Sequence, residues 1–135
     1  MAVPRRFQLP SVRASVPKAR HLVRDYLAEQ APQADPSAIE DLLLAVTEGV
    51  ANAVVHAHGE DGRELALEIA IDGPEVTVSI LDTGPGTEPS PRPGDDPFAE
   101  SGRGWALMEA LCDTVRYEPS DTPGEPNRLV LVKKI

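Results

Sequence analysis

Apolar residues recur along the chain with two different periods. From about Pro17 to Gln30, Leu22, Val23, Tyr26 and Leu27 fall on one helical face, and Pro17 suits the first turn of a helix. Asp35-Pro36 supplies an N-cap and first-turn pair for a second helix. In it Ile39, Leu42, Leu43, Val46, Val50, Ala53 and Val54 repeat at helical spacing until Gly59 stops the run. The period then drops to two. Leu65, Leu67, Ile69 and Ile71 alternate with Ala66, Glu68 and Ala70; Asp72-Gly73-Pro74 turns the chain, and Val76, Val78 and Ile80 alternate again, which predicts a hairpin. A short strand is predicted over Phe7 to Leu9 and a third helix from about Gly104 to Cys112. Val115 to Glu118 and Leu129 to Lys133 read as two more strands around a Pro/Gly turn. The order β-α-α-β-β-loop-α-β-β predicts an α+β fold: a two-layer sandwich in which about three helices cover one face of a mostly antiparallel sheet.

One stretch has no period at all. Pro85 to Gly104 is rich in Gly, Ser and Asp and holds five of the 14 prolines. At about 20 residues it exceeds the usual connection in a compact domain, and such loops tend to be lids or binding loops. The chain has 135 residues, enough for one domain with its own core and not for two, and 41% of them are hydrophobic and 26% charged. Its net charge of −9 argues against nucleic acid or an anionic membrane as the main partner, since both select basic surfaces. The one cysteine, Cys112, leaves no internal disulfide and no cysteine zinc cage. The opening MAVPRRFQLP lacks the apolar segment of a secretory signal, and no apolar run approaches the ~20 residues of a membrane span. A cytoplasmic location is expected.

Three places break the local rules. In the second helix Glu48, Asn52 and His56 are spaced i, i+4, i+8 and form a shallow polar ridge. Such a ridge is most simply a solvated face. Asn, however, competes for backbone hydrogen bonds, and Gly49 costs about 1 kcal/mol relative to Ala inside a helix. Their presence in a strongly periodic helix suggests close approach by another group. Asp82-Thr83-Gly84-Pro85-Gly86 ends the hairpin. It is either an ordinary strand-ending turn or a carboxylate acceptor set beside glycines that let backbone approach a flat ligand. Glu100-Ser101-Gly102-Arg103-Gly104 leads into the third helix. It is either a flexible loop end or a run of N–H groups aimed, with the helix dipole, at an anion. No Gly-Lys-Ser/Thr follows, so this is not a P-loop.

Taken in chain order, the three features resemble the GHKL (Bergerat-fold) ATPases, and more closely the anti-sigma factor serine/threonine kinases, which are small histidine-kinase-like ATPases. Glu48-Gly-Val-Ala-Asn52-Ala-Val-Val-His56 is similar to their N box, Asp82-Thr-Gly-Pro-Gly86 to the first glycine box and Gly102-Arg-Gly104-Trp-Ala-Leu-Met-Glu to the second. The resemblance covers essentially the whole chain as a single Bergerat ATP-binding domain, with an ATP lid at about 87–101. One departure stands out. The family usually carries a Gly-Thr pair before the last strand, near the adenine pocket, where this chain reads Gly124-Glu-Pro-Asn-Arg128.

The resemblance implies ATP and Mg²⁺ as ligands. Asn52 would offer its side-chain oxygen to the metal, Asp82 would accept from the adenine amino group, and Gly84 and Gly86 would lie against base and ribose. Gly102, Arg103 and Gly104 would cradle the triphosphate. Glu48 would accept a proton from the attacking hydroxyl or orient it, whereas His56 is read as structural. Implied partners are a sigma factor, held in the ATP state, and an anti-anti-sigma protein phosphorylated on Ser or Thr. Arg20 on the first helix is the candidate partner contact, against its plainer reading as a solvated basic residue. No direct nucleic-acid or membrane contact is expected, and the assembly implied is a homodimer. The alternative function is a non-catalytic ATP-binding module that sequesters a partner; Glu48 favours the kinase and the missing Gly-Thr pair the binder. Topoisomerase and mismatch-repair ATPases share the fold, but need a transducer domain for which this chain has no room.

Overall fold

A computed structural model of the chain describes residues 4–56, 64–82, 99–122 and 125–135. The elements are β1 (Arg5–Pro10), α1 (Ser15–Gln30), α2 (Pro36–His56), β2 (Glu64–Asp72), β3 (Glu75–Asp82), α3 (Ala99–Leu111), β4 (Thr114–Glu118) and β5 (Asn127–Lys134). The strands form one sheet in the order β1-β2-β3-β5-β4, with every neighbouring pair antiparallel. The expected α+β two-layer sandwich is therefore the observed architecture.

Local chemistry accounts for most boundaries. Asp35 caps α2 as expected, its Oδ1 accepting from the Ser37 N–H at 3.1 Å. α1 begins two residues ahead of Pro17, because the buried Ser15 hydroxyl donates to the Pro10 carbonyl at 2.6 Å and ties strand to helix. Pro17 still falls within the first turn, where an N–H has no intrahelical partner. Gly73 opens the β2–β3 hairpin turn at φ +60°, a left-handed conformation that its lack of Cβ permits. The helix stop expected at Gly59 lies outside the described residues.

Alternation along the strands sorts the two faces. Leu65, Leu67, Ile69, Val76, Val78, Ile80, Leu129 and Leu131 point into the core, where they meet Leu42, Val46 and Val50 of α2 and Met108 of α3. α2 packs against both α1 and α3 and over β3 and β5, which puts it at the centre of the helical layer. Cys112, at the end of α3, is buried, and burial pushes its thiol up to about 11, so the reactive thiolate is not formed at neutral pH. Among the described residues no helix is long and apolar enough to cross a membrane.

Two elements depart from expectation. α3 starts at Ala99, not Gly104, so Gly102 and Gly104 lie within the helix and not ahead of it. Ala99 and Glu100 are good helix formers, and Gly104 makes a close contact with α2 described below. β5 begins at Asn127, two residues ahead of its apolar alternation, and so pairs with Asp82 at the expected end of β3.

On the other face of the sheet Glu68 joins three strands. Arg6, directly opposite on β1, donates to its Oε2 at 2.7 Å, and Arg128 reaches across β3 to its Oε1 at 3.0 Å. Partial burial alone would raise the Glu68 carboxyl; the hydrogen bonds and charges of Arg128 and Arg6 outweigh it and hold the group below its ordinary range. A lowered folded value gives a contribution to stability that is complete above the unfolded value, about 4.3. That contribution is lost as pH falls through the folded value. Glu68→Gln is thus expected to unfold at lower denaturant than wild type at pH 7, with the gap closing below about pH 4. A gap of constant size across that range, measured by urea titration, would remove the carboxylate's role.

Candidate functional site

Helix α2 turns about 100° per residue, so consecutive residues at its middle address different neighbours. Gly49 faces the sheet. A Cβ there would lie 2.6 Å from Ile80 Cδ1 and 3.0 Å from Leu129 Cδ2, with Met108 Sδ at 3.6 Å. Glu48 and Asn52, one turn apart, face α3. A Cβ on Gly104 would meet Glu48 Oε2 at 3.1 Å and the two amide atoms of Asn52 at 3.6 and 3.8 Å. Two glycines on two helices thus allow the approaches that put a carboxylate, an amide and a helical backbone together.

Asn52 is buried, and its Nδ2 has no hydrogen-bond partner among the described residues. The indole Nε1 of buried Trp105, next to Gly104, is in the same position. A buried polar atom without a partner costs about 1–3 kcal/mol, so an orphaned amide in a core-facing helix is an arrangement that a polar ligand would complete.

The second half of the site is the end of the sheet. Asp82 and Asn127 face each other as the rung beyond Ile80 and Leu129, on the helix-facing side, and both are buried. Asn127 Nδ2 donates to Asp82 Oδ1 at 3.2 Å. The apolar rung beneath Gly49 therefore continues directly into this polar one.

The candidate residues fall into three groups. Glu48, Asn52 and Gly104 come together at the α2–α3 seam. Gly102 and Arg103 lie in the helical backbone of α3 just before it. Asp82 stands at the strand end with Asn127. Gly84, Gly86 and positions 87–98 of the expected lid lie outside the described residues, while 99–101 of that lid form the start of α3. His56 ends α2. Arg20 lines a separate groove of about 320 Å³ between α1 and α2, with Arg24, Glu40, Asp41, Leu44 and Thr47. Its Nε is buried without a partner among the described residues. Sequence reading missed Asn127 and Trp105. The first could have been found from the departure at the usual Gly-Thr position; nothing marked the second.

Residues 9–133 match the histidine kinase-like ATPase domain, and the chain belongs to that family. Among curated relatives, the anti-sigma F factor of Clostridium beijerinckii is 32% identical over 124 residues, which is 86% of this chain and 83% of that one. That of Clostridium acetobutylicum is 27% identical over 122 residues, 86% of this chain and 82% of its own. The resemblance read from the three boxes is borne out by these relatives. Two solved structures share the fold. The RsbU and RsbW domains of Rv1364c from Mycobacterium tuberculosis align over 98% of this chain and 32% of that one, with a TM-score of 0.72 and 24% identity. A chain of the SiaB-SiaC complex from Pseudomonas aeruginosa aligns over 97% of this chain and 89% of its own, with a TM-score of 0.58 and 17% identity.

The packing at Gly49 gives a direct test. Gly49→Ala gains about 1 kcal/mol of helix propensity but overpacks the core at a cost of about 1–3 kcal/mol, so a net loss of stability is expected. Adding Ile80→Val removes the Cδ1 that the new methyl meets and should recover part of the loss. Strict additivity of the two changes in a denaturant-based double-mutant cycle would place Gly49 away from Ile80.

Proposed function

We propose that the protein is an ATP-binding anti-sigma factor and serine/threonine kinase that sequesters a sigma factor and phosphorylates an anti-anti-sigma partner. The observation that carries this reading is the meeting of Glu48, buried Asn52 and Gly104 at one seam, one helical turn separating the acid from the amide. The names of the relatives, anti-sigma F factors over most of their length, supply the partner class.

The residues present fit Mg-ATP. The unpartnered Asn52 Nδ2, beside Gly104, would donate to a phosphate oxygen and leave Oδ1 for Mg²⁺, which takes oxygen ligands and keeps several waters, so one protein oxygen suffices. Bound there, the cation would neutralise charge on the phosphates. Asn52 would hold it through Oδ1. Gly102, Arg103 and Gly104 would border the triphosphate. Asp82 would accept from the adenine amino group, with Gly84 and Gly86 assigned to base and ribose. Glu48 would take the proton of the attacking serine or threonine hydroxyl, or orient it. Catalysis in such transfers is mostly positioning and charge neutralisation, which explains why few protein groups are needed. Arg20, at the α1–α2 groove, is the contact assigned to a protein partner. The non-catalytic alternative leaned on the missing threonine; Asn127, which places a donor against Asp82, weakens that support.

Glu48→Gln separates the two readings. Gln keeps shape, helix propensity and a hydrogen-bonding oxygen, so ATP and sigma-factor binding should survive. Losing the proton acceptor should slow single-turnover phosphorylation of the antagonist by about 10²–10⁴-fold. A wild-type rate in the variant would eliminate Glu48 as base, and no transfer by the wild type to its antagonist would leave the binding module.

A further inference from the structure

The one tryptophan of the chain, Trp105, is 7% exposed, and its indole Nε1 is buried without a hydrogen-bond partner among the described residues. An indole carries a single donor and no acceptor, and a buried one usually finds a partner. Trp105 lies on the buried face of α3, one turn ahead of Met108. The direction of α3 over the sheet places it further. Just past the helix, the Asp113 N–H donates to the Val132 carbonyl at 2.9 Å, and the Asp113 carboxylate accepts from the Lys134 N–H at 2.7 Å. Met108 and Leu129 then meet over Gly49. Followed toward its N-terminus, α3 therefore runs back along β5, which carries Trp105 toward the Asn127 end of the sheet. The neighbouring Gly104 lies on Asn52, whose Nδ2 is likewise unpartnered. Two buried donors without acceptors thus adjoin Gly104, one from α2 in space and one from α3 in sequence.

We propose that Trp105 is a further nucleotide-binding residue, its indole N–H donating to an acceptor atom of the bound nucleotide. The inference rests on the reading of the site as an ATP site. The fold gains nothing from the donor itself, since an apolar side chain would fill the same core position without burying an unpaired N–H. A trapped water is a poor substitute, because it needs two to four polar partners and the face that Trp105 shares with Met108 and Cys112 is apolar. A nucleotide, by contrast, carries acceptors along its whole length: phosphate oxygens, ribose oxygens and ring nitrogens. The indole is also a rigid group with only two side-chain torsions, so packing holds its donor in place before the ligand arrives. Its role differs from that of Asn52. An amide offers an oxygen as well as a donor, whereas the indole can only donate, so Trp105 serves the nucleotide and not the metal.

The test removes the donor and keeps the ring. Because the chain has one tryptophan, supplying benzothienylalanine in place of tryptophan alters Trp105 alone, exchanging its N–H for sulfur. Trp105→Phe is the genetic counterpart. The full chain in each form is followed by thermal unfolding without nucleotide and by calorimetric titration with Mg-ATP, adenosine and tripolyphosphate. The benzothienyl form should unfold no earlier than wild type, since it buries no unpaired donor. It should bind Mg-ATP about three- to tenfold more weakly, the worth of one net hydrogen bond. A matching loss with adenosine alone puts the acceptor on base or ribose, and a loss with tripolyphosphate alone puts it on the phosphates. Wild-type affinity for Mg-ATP in the benzothienyl form overturns the proposal. Earlier unfolding together with weaker binding of adenosine and tripolyphosphate alike assigns the N–H to the fold, and overturns it too. If Trp105→Phe does not fold, the benzothienyl form, which keeps the bicyclic ring, decides. No binding of Mg-ATP by wild type removes the ATP reading itself, and the proposal with it.

Discussion

Helix α2 is held between the sheet and α3 by close contacts, at Gly49 too tight for a β-carbon and at Gly104 tight enough that the Glu48 carboxylate would have to give way to one. Gly49 lies on Ile80 and Leu129, and Gly104 of α3 lies on Glu48 and Asn52. Both glycines carry a helix-propensity cost of about 1 kcal/mol relative to Ala, which packing has to offset. What the close approach yields is a polar seam set into an apolar layer: a carboxylate and an amide directed at α3, above a core of Leu42, Val46, Val50 and Met108. The polar rung of Asp82 and Asn127 then extends the same surface past the end of the apolar ladder. The two halves of the site are therefore joined through the contact at Gly49, and a shift of α2 away from the sheet would separate them.

Local periodicity made most of the fold legible. The apolar repeat of α2, its Asp35 cap and the alternation on either side of Gly73 are all encoded within a few residues of where they act. The extra turns of α3 were not, because Gly102 and Gly104 argue locally against a helix and the contact that compensates at Gly104 comes from residues some fifty positions earlier. For the same reason β5 reads from sequence as starting at Leu129. The rung ahead of it is polar, and alternation of apolar residues cannot register a pair that holds together by a hydrogen bond. The Arg6–Glu68–Arg128 cluster likewise depends on strand order, which places Arg128 across β3 from its partner.

The site divides along the same line. Glu48 and Asn52 could be singled out from spacing alone, since i and i+4 share a helix face and an asparagine in a helix interior needs a reason. That Gly104 would be their neighbour needed the tertiary structure. Asn127 was visible only as a departure from the family's usual Gly-Thr pair, and its partnership with Asp82 and Ser120 came from the paired strands and the turn ahead of β5.

Functional sites commonly retain arrangements that cost stability, and the orphaned Asn52 amide is one. The most direct test of the account is thermal unfolding of Asn52→Ala with and without Mg-ATP. Alanine is the better helix former and leaves no unpartnered amide, so the variant without nucleotide should be at least as stable as wild type. Nucleotide at about a hundred times its Kd should stabilise wild type by about 2.7 kcal/mol and the variant far less. A variant that is less stable alone, yet gains as much from Mg-ATP as wild type, would contradict the assignment of Asn52 to the ligand.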